Sequence, residues 1–202
     1  MRRFLFKTIL VGLPVLLSCG LILYILIISR ESVGIEQAIE IQQQNEGGLY
    51  SCVVKYRDNA YKFIRTKNLQ AEVLVVGTSR TMQIGSRFFS DSLTFYNAGG
   101  VVSTLSQFVP FLEKIGYNPR LLIVGLDQYF FNDAWSDINT PVPDYSNTQD
   151  KLFDLLFSSS WLICRNLLTG DIPVLLPESP HVGLNAILKQ NGFYRDGVYR
   201  YG

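Results

Sequence analysis

Three short polar clusters in this sequence could carry chemistry, and each follows a continuous apolar run. They are Gly77-Thr78-Ser79-Arg80, Asn97-Ala98-Gly99-Gly100 and Gly125-Leu126-Asp127-Gln128. They offer a hydroxyl, backbone amides and a carboxylate, the groups that nucleophilic catalysis and anion binding use. Because ligands bind outside the carboxyl ends of parallel strands, the pattern predicts that Ser79, Gly99 and Asp127 share one site.

The residues alone leave the role of each group open. The Ser79 hydroxyl could be a nucleophile or a cap that accepts a backbone N–H, or it could belong with Arg80 to an anion-binding turn. Gly99 and Gly100 could equally serve tight backbone geometry. Asp127 could cap the segment that follows it, and Arg80 could pair with Asp127 or lie on the surface.

The elements that would position these clusters alternate along the chain. Apolar runs predict strands over 71–77, 93–97 and 121–126, and a stripe at helical spacing predicts a helix over 103–115 that ends at Gly116. This alternation implies parallel strands with helices on both faces, a three-layer α/β/α sandwich. If the strand order is 2-1-3, the three clusters meet at one rim.

Further elements are predicted around this sheet. Helices are expected over 32–45, 50–67, 151–168 and 182–190. Residues 132–148 predict a long surface loop, and Asp196-Gly197 predicts a turn. A group of aromatic residues after the third cluster could stack on a sugar ring, or could belong to the core or a lid: Tyr129, Phe130, Phe131 and Trp135.

Composition excludes several classes of protein. The 202 residues carry a formal net charge of +1 with 17% charged residues, which gives no basic surface for a nucleic acid. Three cysteines and one histidine argue against the usual zinc clusters and a dense disulfide framework, so we expect no metal and no cofactor. Cys52 and Cys164 could pair in an oxidising compartment or remain free thiols.

The amino-terminal segment predicts an uncleaved membrane anchor. No charged residue occurs from Thr8 to Ser29, which is long enough to span a bilayer and too long for a typical cleavable signal. Residues 2–7 carry three basic charges, whereas Arg30 and Glu31 offset each other. The positive-inside bias therefore places the amino terminus in the cytoplasm and the rest outside.

The expected organisation has three parts: a cytoplasmic stub and anchor over 1–30, juxtamembrane helices over 31–70, and an α/β domain over 71–202. Three strands make a thin sheet, since doubly wound folds commonly carry five or six. We therefore expect either a truncated chain or a compact variant that a partner completes.

The three clusters resemble the first three sequence blocks of the SGNH (GDSL-like) hydrolase superfamily. Val76-Gly77-Thr78-Ser79-Arg80 resembles the first block, whose serine follows the first strand; Asn97-Ala98-Gly99 resembles the second, whose glycine amide joins the oxyanion hole; and Gly125-Leu126-Asp127-Gln128 resembles the third, usually Gly-x-Asn-Asp. The layout is also similar to membrane-anchored members found with bacterial envelope polysaccharide genes. The resemblance covers roughly residues 50–202 and implies an SGNH- or flavodoxin-like sheet, here incomplete.

This resemblance implies roles for individual residues. Ser79 would be the nucleophile, and the backbone amides of Gly99 and Ser79 would hold the oxyanion. Asp127 stands where the family usually has asparagine, and an ionised carboxylate there would repel an oxyanion. The remaining polar positions would contact substrate: Arg80, Asn97, Gly100 and Gln128.

The family's last block, Asp-x-x-His, does not occur in this sequence, so the general base is not evident. His181 with Glu178 could replace it, or His181 could be a solvated loop residue. A base on sequence absent from this chain is a further alternative. We therefore expect this chain to be inactive or nearly so.

The resemblance implies a serine esterase or O-acyltransferase relative that acts on cell-envelope polysaccharide, attached by a single span to the bacterial cytoplasmic membrane with its main domain outside. The alternative is a non-catalytic envelope protein that binds glycan or docks a polysaccharide-assembly partner. A weaker alternative is an anion-binding sensor on the Gly-Thr-Ser-Arg turn. No nucleic-acid partner is expected.

Overall fold

The computed structural model describes residues 2–44, 46–56, 58–132, 145, 152–172 and 179–202. Most of the predicted 132–148 loop, including Trp135, lies outside these residues, as does Glu178. The helices are α1 (Arg2–Ile28), α2 (Ile35–Gln44), α3 (Cys52–Tyr56), α4 (Asp58–Leu69), α5 (Phe108–Ile115), α6 (Leu152–Thr169) and α7 (Leu184–Lys189). The strands are β1 (Val73–Gly77), β2 (Phe95–Gly99), β3 (Leu121–Val124), β4 (Gly192–Phe193) and β5 (Tyr199–Arg200).

A three-stranded parallel sheet forms the centre of the fold. Its order is β2-β1-β3, the order 2-1-3 under which the three clusters meet at one rim. The central strand β1 is buried along its whole length, as expected of a continuous apolar run between two neighbours. Gly77 lies opposite Gly99, and Val76 lies opposite Val124. The three strands therefore end at the same level.

Helices cover one face of this sheet. Side chains of α4 and α5 pack over Leu74 and Val76 on that face. On the other face, Val73 and Val75 pack against Val198 and residues 84–93, a Ser- and Asp-containing segment of turns. The mixed α/β fold is confirmed, but among the described residues helices cover one face of the sheet rather than the predicted two.

Several boundaries differ from the sequence prediction. The second strand runs over 95–99 instead of 93–97, because Gly99 continues the ladder opposite Gly77. The expected helix over 50–67 is two helices, α3 and α4. The expected helix over 103–115 begins at Phe108, after a short 3-10 turn.

A carboxyl-terminal hairpin of β4 and β5 covers the outer edge of β2. Its turn contains the predicted Asp196-Gly197, with Gly197 at a φ of 80°. The Asn97 N–H donates to the Asp196 carbonyl at 2.8 Å. Lys62 of α4 is almost fully buried and donates to the carbonyls of Asn97 and Gly197. The ammonium thus satisfies edge carbonyls that would otherwise lose hydrogen bonds on burial.

Helix α1 contains one stretch, Ile9–Ile28, that is long and apolar enough to cross a membrane. At its end, Ile25 and Leu26 are buried against α6 and α7. Length and composition therefore agree with the predicted anchor, and its last turns pack on the domain.

Glu31 joins the end of α1 to two other segments. Its side chain is fully buried, and its carboxylate accepts the Cys52 N–H at 2.7 Å and the Leu184 N–H at 2.5 Å. Burial raises the pKa of Glu31, although the hydrogen bonds oppose that shift by favouring the charged form. In the sequence Glu31 is only a charge that flanks the apolar segment, whereas in the structure its carboxylate joins residues Cys52 and Leu184.

The cysteines are free thiols in this structure. Cys52 is buried and Cys164 is half-buried. Of the two alternatives for this pair, the structure shows the free thiols. Burial, and secondly the nearby Glu31 carboxylate, raises the pKa of Cys52 to about 12. The Cys52 thiol is therefore protonated and unreactive at neutral pH.

The raised pKa of Glu31 predicts a specific pH dependence of stability. The folded state binds the proton more tightly than the unfolded state, so this contribution is present below pH 4.5 and is lost as pH rises through the folded-state pKa. Denaturant unfolding in detergent micelles should show Glu31→Gln becoming more stable relative to wild type as pH rises. Glu40→Gln removes an exposed carboxylate and serves as the control. Parallel pH profiles for wild type and Glu31→Gln would contradict this prediction.

Candidate functional site

The segment after β1 folds back over the strand ends as a 3-10 turn, Ser79–Gln83. Thr78 caps it, because its hydroxyl accepts the Arg80 N–H at 3.3 Å and its carbonyl accepts the Thr81 hydroxyl at 2.8 Å. The capping role that the sequence left open for Ser79 therefore belongs to Thr78. Ser79 is exposed, and its hydroxyl makes no hydrogen bond to any described residue.

Thr81 lies where the three strand ends meet. A Cβ added at Gly77 would come within 2.6 Å of its Cγ2, and one added at Gly99 would come within 2.5 Å of its Oγ1. A Cβ at Gly125 would also overlap Cγ2. Glycine at the end of each strand therefore makes room for Thr81, and the turn that carries Ser79 can lie directly on the sheet.

Asp127 follows β3 at the same rim and is only 8% exposed. Its carboxylate accepts the Thr78 hydroxyl and lies 3.3 Å from the guanidinium of Arg80. The Arg80 side chain is 67% exposed, so solvent weakens this ion pair. The structure thus brings Arg80 and Asp127 together while leaving Arg80 at the surface, and the carboxylate is directed to Thr78.

Asn97 and the glycines after it are engaged within the fold. The buried Asn97 amide donates to the carbonyls of Thr81 and Ile84, each at 2.7 Å. Its Oδ1 accepts the Gly99 N–H at 2.7 Å. The Gly100 N–H donates to the Gly77 carbonyl at 2.7 Å. In this conformation, Asn97 and the two amides hold the turn against the sheet and have no donor free for an oxyanion.

His181 contacts Gly48 and Tyr194. Its Nδ1 accepts the Gly48 N–H at 2.7 Å, and its ring lies 6.4 Å from that of Tyr194. The neighbouring Val182 forms a parallel bridge with Leu49. With Nδ1 accepting, a neutral imidazole carries its proton on Nε2 and offers no lone pair there to a serine hydroxyl.

The structure therefore does not bring His181 to Ser79 as a base. The alternative interpretation, a solvated loop residue, also differs from the structure, because the ring is half-buried and hydrogen-bonded to the backbone. Glu178, the suggested partner of His181, lies outside the described residues.

An open cavity of about 450 Å³ adjoins the rim beside Asp127. Arg80, Gln128, Tyr129 and Asn132 line it. Phe130 is a buried core residue, whereas Phe131 is exposed. The cavity thus collects two of the predicted substrate-binding residues, Arg80 and Gln128, with one aromatic ring and an additional amide.

Sequence reasoning missed Thr78, Thr81 and Asn132. Thr78 lies in the motif that marks Ser79, and Thr81 follows that motif directly, but no function was expected of either threonine. The sequence signal that could have indicated Thr81 is a polar residue shortly after the first strand together with a glycine at the end of each of the three strands. Within the part of the chain that the structure describes, no three His, Cys, Asp or Glu side chains are placed to hold a metal ion.

No protein-family model, curated protein or solved structure matches this chain in comparisons with known proteins. The interpretation of the rim therefore depends on its own geometry.

The contact between Thr81 and the strand-end glycines predicts a double-mutant result. Gly125→Ala should lower the free energy of unfolding by about 1–3 kcal/mol, because its methyl overlaps Thr81 Cγ2. Thr81→Ser removes Cγ2 and keeps the hydroxyl, so the double variant should be more stable than the sum of the single effects. Denaturant unfolding of the four proteins measures this coupling.

Gly99→Ala provides the matched control. Its added Cβ would meet Thr81 Oγ1 at 2.5 Å and the Met82 backbone nitrogen at 2.9 Å, and Thr81→Ser removes neither atom. Rescue of Gly125→Ala without rescue of Gly99→Ala is expected. Strict additivity at Gly125 would show that the turn does not pack on the strand ends in this way.

Proposed function

We propose that this chain is a membrane-anchored, SGNH-like cell-envelope protein, related to the esterases and O-acyltransferases of polysaccharide acyl groups, and that it binds glycan at the rim without turning it over. The observation that carries this proposal is the combination at one rim of an exposed Ser79, an Arg80–Asp127 pair and an open cavity, while the nearby glycine amides are already hydrogen-bonded.

Catalysis would need two further groups at Ser79. A base must remove the hydroxyl proton, and donors must stabilise the oxyanion that forms on the acyl carbonyl. Asp127 is occupied by Thr78 and Arg80, and its charge opposes an oxyanion. His181 is hydrogen-bonded at Gly48. These contacts favour binding over turnover.

The cavity offers chemistry suited to a sugar. Arg80 supplies donors, and the amides of Gln128 and Asn132 can both donate and accept hydrogen bonds with hydroxyl groups. Tyr129 supplies an apolar ring on which a sugar could stack. An acyl esterase is the second candidate, because the Ser79 hydroxyl is exposed and no described residue hydrogen-bonds it.

Binding and labelling experiments separate the two candidates. The full chain in detergent micelles should bind acetylated xylohexaose saturably in ligand-observed NMR, and Gln128→Ala should weaken this binding about fivefold or more by removing a hydrogen-bonding amide. Ser79→Ala should leave the affinity within about twofold. A fluorophosphonate probe should not label Ser79.

Ser86→Ala is the control for labelling, since Ser86 is a serine in a separate 3-10 turn. Labelling that Ser79→Ala abolishes and Ser86→Ala retains would select the esterase candidate. Absence of saturable binding to acetylated and deacetylated xylohexaose would overturn the glycan-binding proposal.

We also propose that the amino terminus is cytoplasmic and that the domain after α1 lies outside, against the membrane. The basic residues before the apolar stretch support this orientation. Helix α6 contacts the end of α1 and exposes Phe157, Trp161 and Leu168, each at least 65% exposed. Exposed aromatic and aliphatic side chains beside a spanning helix are suited to the membrane interface.

Cysteine accessibility tests this orientation. In spheroplasts that express the chain, a membrane-impermeant maleimide should label Gln43→Cys, because Gln43 is exposed on α2. Arg2→Cys should be labelled only after permeabilisation, and wild type gives the background from the native thiols. The reverse pattern would contradict the proposed orientation.

A further inference from the structure

A second cavity lies beside the amino end of β2, where the hairpin of β4 and β5 packs against α4. Its volume is about 370 Å³, and Phe95, the first residue of β2, forms part of its wall. Gly99 is at the other end of this five-residue strand, roughly 13 Å away at about 3.3 Å per residue. The cavity is therefore separate from the rim that carries Ser79.

Arg65 of α4 lines this cavity, and its side chain is nearly fully buried, with only 2% of the residue exposed. One guanidinium nitrogen makes a long hydrogen bond of 3.4 Å to the Arg195 carbonyl, and Nε has no partner. Among the described residues, no carboxylate forms an ion pair with it. A buried charge without an ion-paired carboxylate is unfavourable, so an anionic ligand would stabilise this arrangement.

Two further guanidinium groups surround the same cavity. Arg195 and Arg200 belong to the hairpin and are exposed. The guanidinium carbon of Arg200 lies 4.1 Å from the centroid of the Tyr194 ring, which also lines the cavity. This stacking restricts the position of Arg200 beside the opening.

The acidic residues of the cavity offset these charges only in part. The Asp196 carboxylate accepts the Val198 N–H at 3.2 Å and the Ser86 hydroxyl at 3.4 Å, so it stabilises the hairpin turn. Glu46 is exposed and forms no ion pair with a described residue. Three arginines against two carboxylates leave the lining positive by one charge.

We propose that this cavity binds a small organic anion through a carboxylate or phosphate group held by Arg65, Arg195 and Arg200. The planar guanidinium suits both groups, because it can donate two parallel hydrogen bonds to a pair of anionic oxygens. The volume lies at the lower end of the range for small-molecule sites, about 300–1,000 Å³. Phe95 and Tyr194 add apolar wall for a compact body such as one sugar ring.

Calorimetric titration of the full chain in detergent micelles tests this site. The probes are glucuronate, glucose 6-phosphate, inorganic phosphate and neutral glucose. At least one organic anion should bind saturably at one per chain, whereas glucose should not bind. Preference for glucuronate would identify carboxylate as the recognised group, and preference for glucose 6-phosphate together with phosphate binding would identify phosphate.

Arginine variants locate the bound anion. Arg195→Ala and Arg200→Ala should each weaken binding about fivefold or more, because each removes a donor at the solvent-exposed side of the cavity. Arg65→Lys keeps the buried charge and removes the fork, and it should also weaken binding if circular dichroism shows a folded protein. Arg87→Ala is the matched control, since Arg87 is an exposed arginine near the same hairpin that does not line this cavity.

Two results would overturn the proposal. One is no saturable binding of any anionic probe up to about 10 mM. The other is equal weakening by Arg87→Ala and Arg200→Ala, which would indicate diffuse surface charge. Gln128→Ala, which should weaken glycan binding at the rim, should leave anion binding unchanged because Gln128 does not line this cavity, so failure here is distinguishable from failure of the proposed glycan site.

Discussion

The close packing of three strand ends beneath Thr81 is the constraint on which the candidate site depends. A side chain at Gly77, Gly99 or Gly125 would displace Thr81 and lift the turn that carries Ser79 away from the sheet. With glycine at all three positions, the turn lies flat enough for the Thr78 hydroxyl to reach Asp127 beyond the end of the neighbouring strand β3. The position of Ser79 is therefore set by backbone proximity, and the serine itself contributes little to it.

The packing of this turn on the strand ends uses polar groups that the SGNH resemblance assigns to the active site. Asn97 donates to the carbonyls of the turn and accepts the Gly99 amide, so it satisfies buried backbone groups on both sides of the contact. Releasing the Gly99 N–H for an oxyanion would leave the Asn97 oxygen without its donor. The rim thus favours a rigid, hydrogen-bonded surface, which suits binding a ligand that approaches from solvent beside Arg80 and Gln128.

The sequence predicts the sheet well because the strands are short apolar runs whose character depends little on distant residues. The three parallel strands follow from that pattern, and in the observed order β2-β1-β3 the turns that carry Ser79, Gly99 and Asp127 lie at the same end of the sheet. Hydrogen-bond partners are harder to predict, since they depend on segments that meet only in the folded chain. Thr78 rather than Ser79 is the cap, and the Gly99 amide is hydrogen-bonded within the fold. Both contacts depend on how the turn folds back onto the strand ends, which the spacing of apolar residues does not predict.

The placement of His181 has a physical origin in the attachment of α1. The segment that contains it bridges Leu49 through Val182, and the next residues bind the end of α1 through the Ser29 carbonyl and the Glu31 carboxylate. Moving His181 toward Ser79 would break this bridge, and it would also expose the buried hydrogen bonds of Glu31. The histidine is thus held by the packing that joins the apolar helix to the domain, and its Nδ1 accepts the Gly48 N–H there.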